Sequence, residues 1–542
     1  MKKQYVFITA FLFIAFFSKA QNFIWAKSAG SDNVEATLAV AADALGNSYA
    51  VGYYRSASIT FGSFTLTSPG TANHLFVVKY DASGTVVWAK AAPGLDQNEG
   101  DAVAIDPSGN IIVTGTYENT MSLDAFTINS SGGAGDMFVV KYDTNGNVVW
   151  LQSAGGTDTE FPKSVVTDAS GNIFITGQFS SSPMILGSYS LPNLGLFDIF
   201  TVKYGPSGNV LWATSTGTSM YEGATAITAD ASGNVYIGGY YENPTLIFGT
   251  DTLHNDATPY HGMFVVKYNT AGIVQWAKGP GGGGELQGLT SAAGDVYVTG
   301  YFTDSVIFGA NRLFTPHYYS YAFVAKINSS GNPVWAQKEG NSVYNYFAYA
   351  IASDAMSNIY VTGSDNAPSA TLGGSTFTNA GGTDIFVIKY DSNGTPLWSQ
   401  AAGGDQDDES FAVACNTTDV FIGGEFASTV FNAGSFNLNN AGAMDMFIAK
   451  LSPDATTEIV NSLSLSGISF YPNPSSGMVM FTSDPTADAE ISVFDPVGKC
   501  IYKNTFHKNS GNIIDLRGFT KGVYYAEILS ENKKEVRKIV LQ

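Results

Sequence analysis

The sequence predicts an all-β fold: a seven-bladed β-propeller closed by an N-terminal strand, followed by a small C-terminal β-sandwich. Three repeated landmarks predict it. All seven tryptophans fall in one register, at Trp25, Trp88, Trp150, Trp212, Trp276, Trp335 and Trp398, spaced 59 to 64 residues apart. A phrase like FVVKY recurs seven times, with its lysine at Lys79, Lys141, Lys203, Lys267, Lys326, Lys389 and Lys450. A phrase like GNIIVTG also recurs seven times, from GNSYAVG to TDVFIGG. A fixed period of this kind marks a repeat architecture.

Residues 1–20 read as a secretory signal. Lys2 and Lys3 precede the apolar run YVFITAFLFIAFF, and SKA offers small residues for cleavage before Gln21. The run is too short to span a bilayer, which takes roughly 20 residues. No later segment is apolar enough, so no transmembrane span is expected.

Residues 21–454 are expected to form the propeller. In the second repeat, GDAVAID (100–106) reads as a first strand and PSGN as a tight turn into IIVTGTY. An excursion carrying SLDAFTI leads to MFVVKYD, and TNG turns into NVVWLQS. Asp, Asn, Ser and Gly hold the two tight turns, where Asx bonds and positive φ are wanted. Small residues on the first strand suit the crowded axis. The aromatics of the third and fourth strands suit the wider gaps at the rim. The last repeat has no Trp strand after Leu451, whereas the chain starts with NFIWAK, a fourth strand without the other three. That strand is expected to complete the last blade and leave no open edge.

A polar linker (455–466) should separate this body from a domain at 467–542. Cys415 and Cys500 fall on either side of it, so no disulfide is expected. The formal net charge of −20 is unevenly placed: 14 basic residues face 38 acidic ones over 21–464, against 9 and 8 beyond. An acidic body argues against nucleic acid.

The phrase DASGNIFITGQF…LGSYSL…DIFTVKYGPSGNVLWATS resembles the SBBP-type β-propeller repeat of secreted bacterial proteins, over about residues 22–454. That resemblance implies a propeller and no reaction. The C-terminal region resembles the type A sorting domain of type IX secretion cargo. The matching residues are Tyr471, Pro472, Asn473 and Pro474; Asp495, Gly498 and Lys499; and Asp515, Leu516, Gly522, Val523 and Tyr524. The family implies recognition by the type IX secretion machinery and export across the outer membrane. Its cargo is released or stays attached to the cell surface.

Long connections should gather on the face opposite the tight turns, which makes that face the candidate for binding. A carboxylate stands where most first strands begin: Glu35, Glu99, Glu160, Glu222, Glu285 and Glu409. Tyr346 takes that place in the sixth repeat, and Glu285 is out of register by about two residues. Such a rim suits Ca²⁺ or a cationic partner. Equally, each Glu would serve as an acceptor for backbone N–H groups in its own loop. A second candidate is the cluster Tyr260, His261, His317, Tyr318, Tyr319 and Tyr321, whose aromatic faces with polar tips suit a carbohydrate. The seven repeated lysines, if buried, need partners. Asp43, Asp106, Asp168, Asp230 and Asp354 are the candidates, alongside a turn-capping role for the same residues.

No G-x-S-x-G, H-E-x-x-H or EF-hand loop occurs, and the five histidines show no metal-ligand spacing. No catalytic residue or cofactor is therefore assigned. The leading expectation is a secreted or surface-attached binding or adhesion module for an extracellular glycan or protein. A carbohydrate-active or other hydrolytic propeller, and a structural matrix component, stay open.

Overall fold

The computed structural model describes residues 23–132, 135–256, 261–316, 318–341, 343–452, 470–481, 489–495, 499–506, 513–530 and 533–542. The signal region, the linker, Tyr260, His317 and Gly498 lie outside the described residues. The chain divides into two compact units, 1–455 and 456–542.

The larger unit is all-β and propeller-like. Among the described residues, seven antiparallel sheets of four or five strands follow one another along the chain. Their inner strands are Glu35–Ala42, Asn98–Ile105, Glu160–Thr167, Glu222–Ala229, Gly281–Ala292, Tyr346–Ser353 and Asp408–Cys415. Each inner strand lies against the next, and that of the seventh sheet lies against that of the first. The sheets therefore return on themselves around an axis. Second strands (Ile111–Tyr117 in the second sheet) and third strands (Asp136–Tyr142) follow outward, then the tryptophan strands (Val148–Ala154). The inner strand of the second sheet starts two residues earlier than the sequence suggests. Between second and third strands the excursion forms a hairpin, as at Thr120–Leu123 with Phe126–Asn129. The fifth sheet differs. There the glycine run Gly281–Gly284 lengthens the inner strand, and the second strand runs on to Phe308 and pairs directly with Asn311–Phe314.

The seventh sheet has strands from both ends of this unit. Phe23–Ala29 pairs antiparallel with Asp445–Leu451, in register from Trp25↔Lys450 to Ala29↔Met446. The N-terminal strand is the outer strand of the last sheet.

Repeated side chains lock each sheet to the next. In the turn after each of the first six third strands a glycine adopts φ near +80°, for example Gly146 and Gly208. The indole of the preceding sheet packs on it: a Cβ at Gly146 would stand 2.9 Å from Trp88 Cδ2. The indole N–H then donates to a carbonyl of the same turn, as Trp88 does to Thr144 O (3.3 Å) and Trp150 to Pro206 O (3.2 Å). The third-strand lysines reach the same turns, with Lys141 Nζ 3.3 Å from Pro206 O. Their partners are the inner-turn aspartates, at 2.8 Å for Lys141–Asp106 and 3.0 Å for Lys450–Asp419. Asp106, Asp168 and Asp230 also cap their own turns, whereas Asn416 caps the turn of Asp419. Asp106 Oδ1 accepts the N–H of Ser108 and Asn110. Capping and ion pairing are thus two ends of one carboxylate, and a buried lysine never lies far from an acceptor.

In the smaller unit, Phe470–Tyr471, Met478–Phe481 and Ile513–Asp515 form one sheet. Cys500–Phe506, Ala489–Phe494, Gly522–Ser530 and Lys533–Leu541 form another, in that order. Both contribute to one core, from Val479 and Ile514 to Ile491, Ala526 and Ile539. Asn473 accepts the Val540 N–H (2.8 Å) and donates to Lys538 O, which ties the Tyr-Pro-Asn-Pro segment to the last strand. Asp495 closes a turn with Lys499, and buried Tyr524 donates to Thr520 O (2.7 Å). Gly522 opens its strand, while Tyr471 is exposed. Both cysteines are free.

Candidate functional site

The six glutamates of the expected rim do not form one ring. Strand register splits them into two rows that point to opposite sides. Glu35, Glu160 and Glu222 pair with Tyr54, Phe179 and Tyr241 at the first position of the inner strand. All three are fully buried between sheets. Glu99, Glu285 and Glu409 sit one position later, opposite Thr116, Tyr301 and Glu425, and are partly exposed. A one-residue offset in a strand turns a side chain to the other face. Asn98, Gly284, Tyr346 and Asp408 fill the buried row in the remaining sheets.

The buried row meets an aspartate from the start of the preceding sheet's third strand. Glu35 lies near Asp445, Glu160 near Asp136, Glu222 near Asp198 and Asp408 near Asp384. Each aspartate accepts a loop N–H through Oδ2, as Asp384 does from Ala380 (2.8 Å), and its Oδ1 has no partner. Glu35 and Glu222 accept the N–H of Ser31 and Thr218 in their own loops. A glycine makes room for each aspartate. A Cβ at Gly403 would stand 2.1 Å from Asp384 Oδ1. Gly403→Ala is therefore expected to cost about 2–3 kcal/mol, read as a lower urea midpoint; an unchanged midpoint would remove this account of the glycine.

The second row opens on the axis. Here the seven inner strands line a channel of about 180 Å³. Its waist is apolar: Val40, Val103, Val165, Leu289, Ile351 and Val413. Above the waist, one position per strand faces the channel, and its residues are Leu38, Asp101, Lys163, Thr225, Gln287, Tyr349 and Phe411. A repeat position that only supports the fold keeps its residue, as the waist does. This one carries seven different residue types.

The next layer outward is the row of Glu99, Phe161, Glu285, Phe347 and Glu409, and together the layers make a cup. Aromatic rings form an arc on one side: Tyr301–Phe347 at 4.9 Å, Phe347–Tyr349 at 6.2 Å and Tyr349–Phe411 at 5.6 Å between centroids. Lys163 lies over Phe161 (5.3 Å), and Arg55 over Tyr53 (5.6 Å). His261 sits between Glu285 (Nδ1–Oε1, 3.1 Å) and Glu242 (Nε2–Oε1, 3.4 Å), with Tyr240 stacked on it at 5.0 Å.

The electrostatics follow from crowding and burial. Burial, aided by the nearby Glu99 charge, pushes Asp101 up to about 7 against the opposing pull of Lys163. Burial and repulsion from Glu409 likewise push Glu425 up to about 7, with Arg55 opposing. At Glu285 burial acts upward, but hydrogen bonds from His261 and Tyr301 outweigh it and leave the carboxyl below its usual range. The Glu285 hydrogen bond in turn raises His261. The described residues contain no group of three or more His, Cys, Asp or Glu arranged to hold a metal ion.

The expected Tyr/His cluster is not gathered in one place. His261 belongs to the cup. Tyr321 is buried against Tyr346 (5.3 Å), Tyr319 packs on the core, and Tyr318 is exposed. The expectation missed Asp101, Lys163, Tyr349, Phe411 and Glu425. An alignment of the inner strands against one another would have exposed their variability, once the bulge before the small-residue position was allowed for.

Comparison with known proteins bears most directly on the smaller unit. Residues 469–542 match the family described as the secretion system C-terminal sorting domain. The chain carries a C-terminal sorting domain of the type IX secretion system. Such a domain implies contact with the secretion machinery and export to the cell surface or extracellular space. No described helix is long and apolar enough to cross a membrane. The chain is 26% identical over 461 residues to an uncharacterized WD repeat-containing protein of Acanthamoeba polyphaga mimivirus, covering 67% of this chain and 33% of that one. A regulatory protein, FlaEY, of Caulobacter vibrioides is 23% identical over 43% of this chain and 26% of its own. The chain thus spans about a third or less of these curated relatives. Among solved structures, YCF48 bound to a peptide aligns over 81% of this chain and all of its own, with 9% identity and a TM-score of 0.37. A puromycin hydrolase aligns over 76% and 55%, at 9% and 0.41.

Proposed function

We propose that this secreted protein is a seven-bladed, SBBP-type propeller that acts as a binding or adhesion module at the cell surface, with its ligand in the axial cup. The small C-terminal unit, read as a β-sandwich, serves export. The observation that carries the reading is the channel-facing row of seven different residues on a scaffold that otherwise repeats itself. Function on repeat folds resides where the repeats stop agreeing, and concave, partly apolar sites with a few polar groups are where small ligands bind.

The test is a glycan and peptide array probed with the mature protein and with a Lys163→Ala/Phe411→Ala variant. Loss of the wild-type hits in the variant, with an unchanged melting temperature, is expected. Hits that survive the double substitution would move the site elsewhere.

A further inference from the structure

On the axial face, Glu409 of the inner strand and Glu425 of the second strand stand directly opposite one another in the antiparallel register. Like charges facing across an antiparallel pair are destabilising. At the equivalent position the other sheets place Ala36/Tyr53, Glu99/Thr116, Phe161/Gln178, Gly223/Tyr240, Glu285/Tyr301 and Phe347/Ser364. None of these is a like-charge pair.

No hydrogen bond or ion pair among the described residues engages either the Glu409 or the Glu425 carboxylate. The cations of the cup form no ion pair with either carboxylate among the described residues, although the Arg55 charge acts on Glu425 from a distance. His261 is held between Glu242 and Glu285, Arg55 donates to Asn73 Oδ1 (2.6 Å), and Lys163 lies over Phe161. Next to the two glutamates runs the aromatic arc of Phe347, Tyr349 and Phe411. In the same row the Ser364 hydroxyl is fully buried, with the Tyr349 side chain as its hydrogen-bonding neighbour.

Resting on the reading of the cup as the binding site, we propose that this corner takes an organic ammonium group, seated between the Glu409–Glu425 pair and the faces of Tyr349 and Phe411. A cation there offsets the repulsion between the carboxylates, and the ring faces attract it through their quadrupoles. The aromatic surface replaces the hydration that a bare metal ion would demand, so the arrangement favours a carbon-bearing cation. The same chemistry is presented by a free amine and by a lysine side chain.

Isothermal titration of the full chain with choline, n-butylammonium, a doubly blocked lysine and glucose tests the proposal. The ammonium compounds are expected to bind, at least tenfold more weakly in Glu425→Gln and in Tyr349→Leu, and more weakly as salt rises. Glu425→Gln should meanwhile melt no lower than wild type, since it removes a repulsion; lost binding is then not lost folding. Blocked lysine binding as well as butylammonium marks a protein partner, and choline alone marks a small methylated amine. Absence of ammonium binding, or binding indifferent to both substitutions, overturns the proposal. If glucose binds instead and Phe411→Ala abolishes it, the cup stands as the site and only the ligand class fails. If every interaction survives Phe411→Ala, the cup fails as well.

Discussion

Removal of residues 21–28 is expected to abolish cooperative folding of the larger unit or to lower its unfolding midpoint drastically. The N-terminal strand buries Phe23, Trp25 and Ala26 and supplies the outer ladder of the seventh sheet. It also makes the joint between the last sheet and the first. Trp25 packs on Gly84, where a Cβ would stand 2.9 Å from Cδ2, and donates to Ala82 O (3.3 Å). Lys450, its register partner, reaches the same carbonyl at 3.2 Å. Truncating one large buried aromatic costs about 3–5 kcal/mol. Losing Phe23 and Trp25 together approaches the typical total stability of roughly 5–15 kcal/mol. Trp25→Ala alone should cost about 3–5 kcal/mol, measured by urea unfolding. A truncated chain that melts like the full-length one would show that the ring does not depend on this closure.

The closure was legible because it is a matter of inventory. A repeated phrase that appears once too often at one end and once too few at the other leaves a single way to complete the set. The tight turns were legible for a similar reason, since Asp, Gly and Asn at fixed offsets dictate the backbone locally. The cup was not. Glu35 and Glu99 both look like the first acid of their repeat, yet one residue of offset puts the first between sheets and the second on the axis. Loops of unequal length hide that offset until the strand pairing is known. Glu425 lies on a different strand, and nothing local to either glutamate announces that the two face each other. One signal was available and unread: an aspartate two residues before the phenylalanine of the lysine phrase, at Asp136, Asp198, Asp384 and Asp445. These are the four aspartates that meet the buried row.

Those four buried carboxylate pairs predict a larger unit that is more stable in mild acid than at neutral pH. Burial raises both members of every pair above their ordinary values, most at Glu160, which reaches about 8, and to about 6 at Asp408 and Asp445. Burial also takes nearby Asp365 to about 7. A group whose folded pKa lies above its unfolded one contributes stability that is full below the unfolded value, near 4, and is lost as pH rises through the folded value. The loss therefore falls between about pH 4 and pH 8. Each pH unit separating the two values is worth about 1.4 kcal/mol, so Glu160 alone accounts for several kcal/mol at the alkaline end. One opposing group acts in the same window: burial holds His74 below its ordinary 6.5, so it withdraws stability as pH falls through that value; the others act lower down. Hydrogen bonds outweigh burial and hold Asp106, with help from Lys141, and Asp230 below their usual range, and both withdraw stability only as pH falls beneath about 4. The melting temperature should thus climb as pH drops from 8 to 5, the reverse of ordinary acid denaturation. Glu160→Gln should flatten much of that slope and raise the melting temperature at pH 8, because a neutral amide leaves Asp136 without a like charge beside it. The second sheet already has this solution: Asn98 occupies the buried row and uncharged His74 the aspartate position, with burial keeping the imidazole below its usual value. A flat profile from pH 5 to 8 in the wild type, or a Glu160→Gln variant with an unaltered slope, would mean that the pairs find compensating charge in solution.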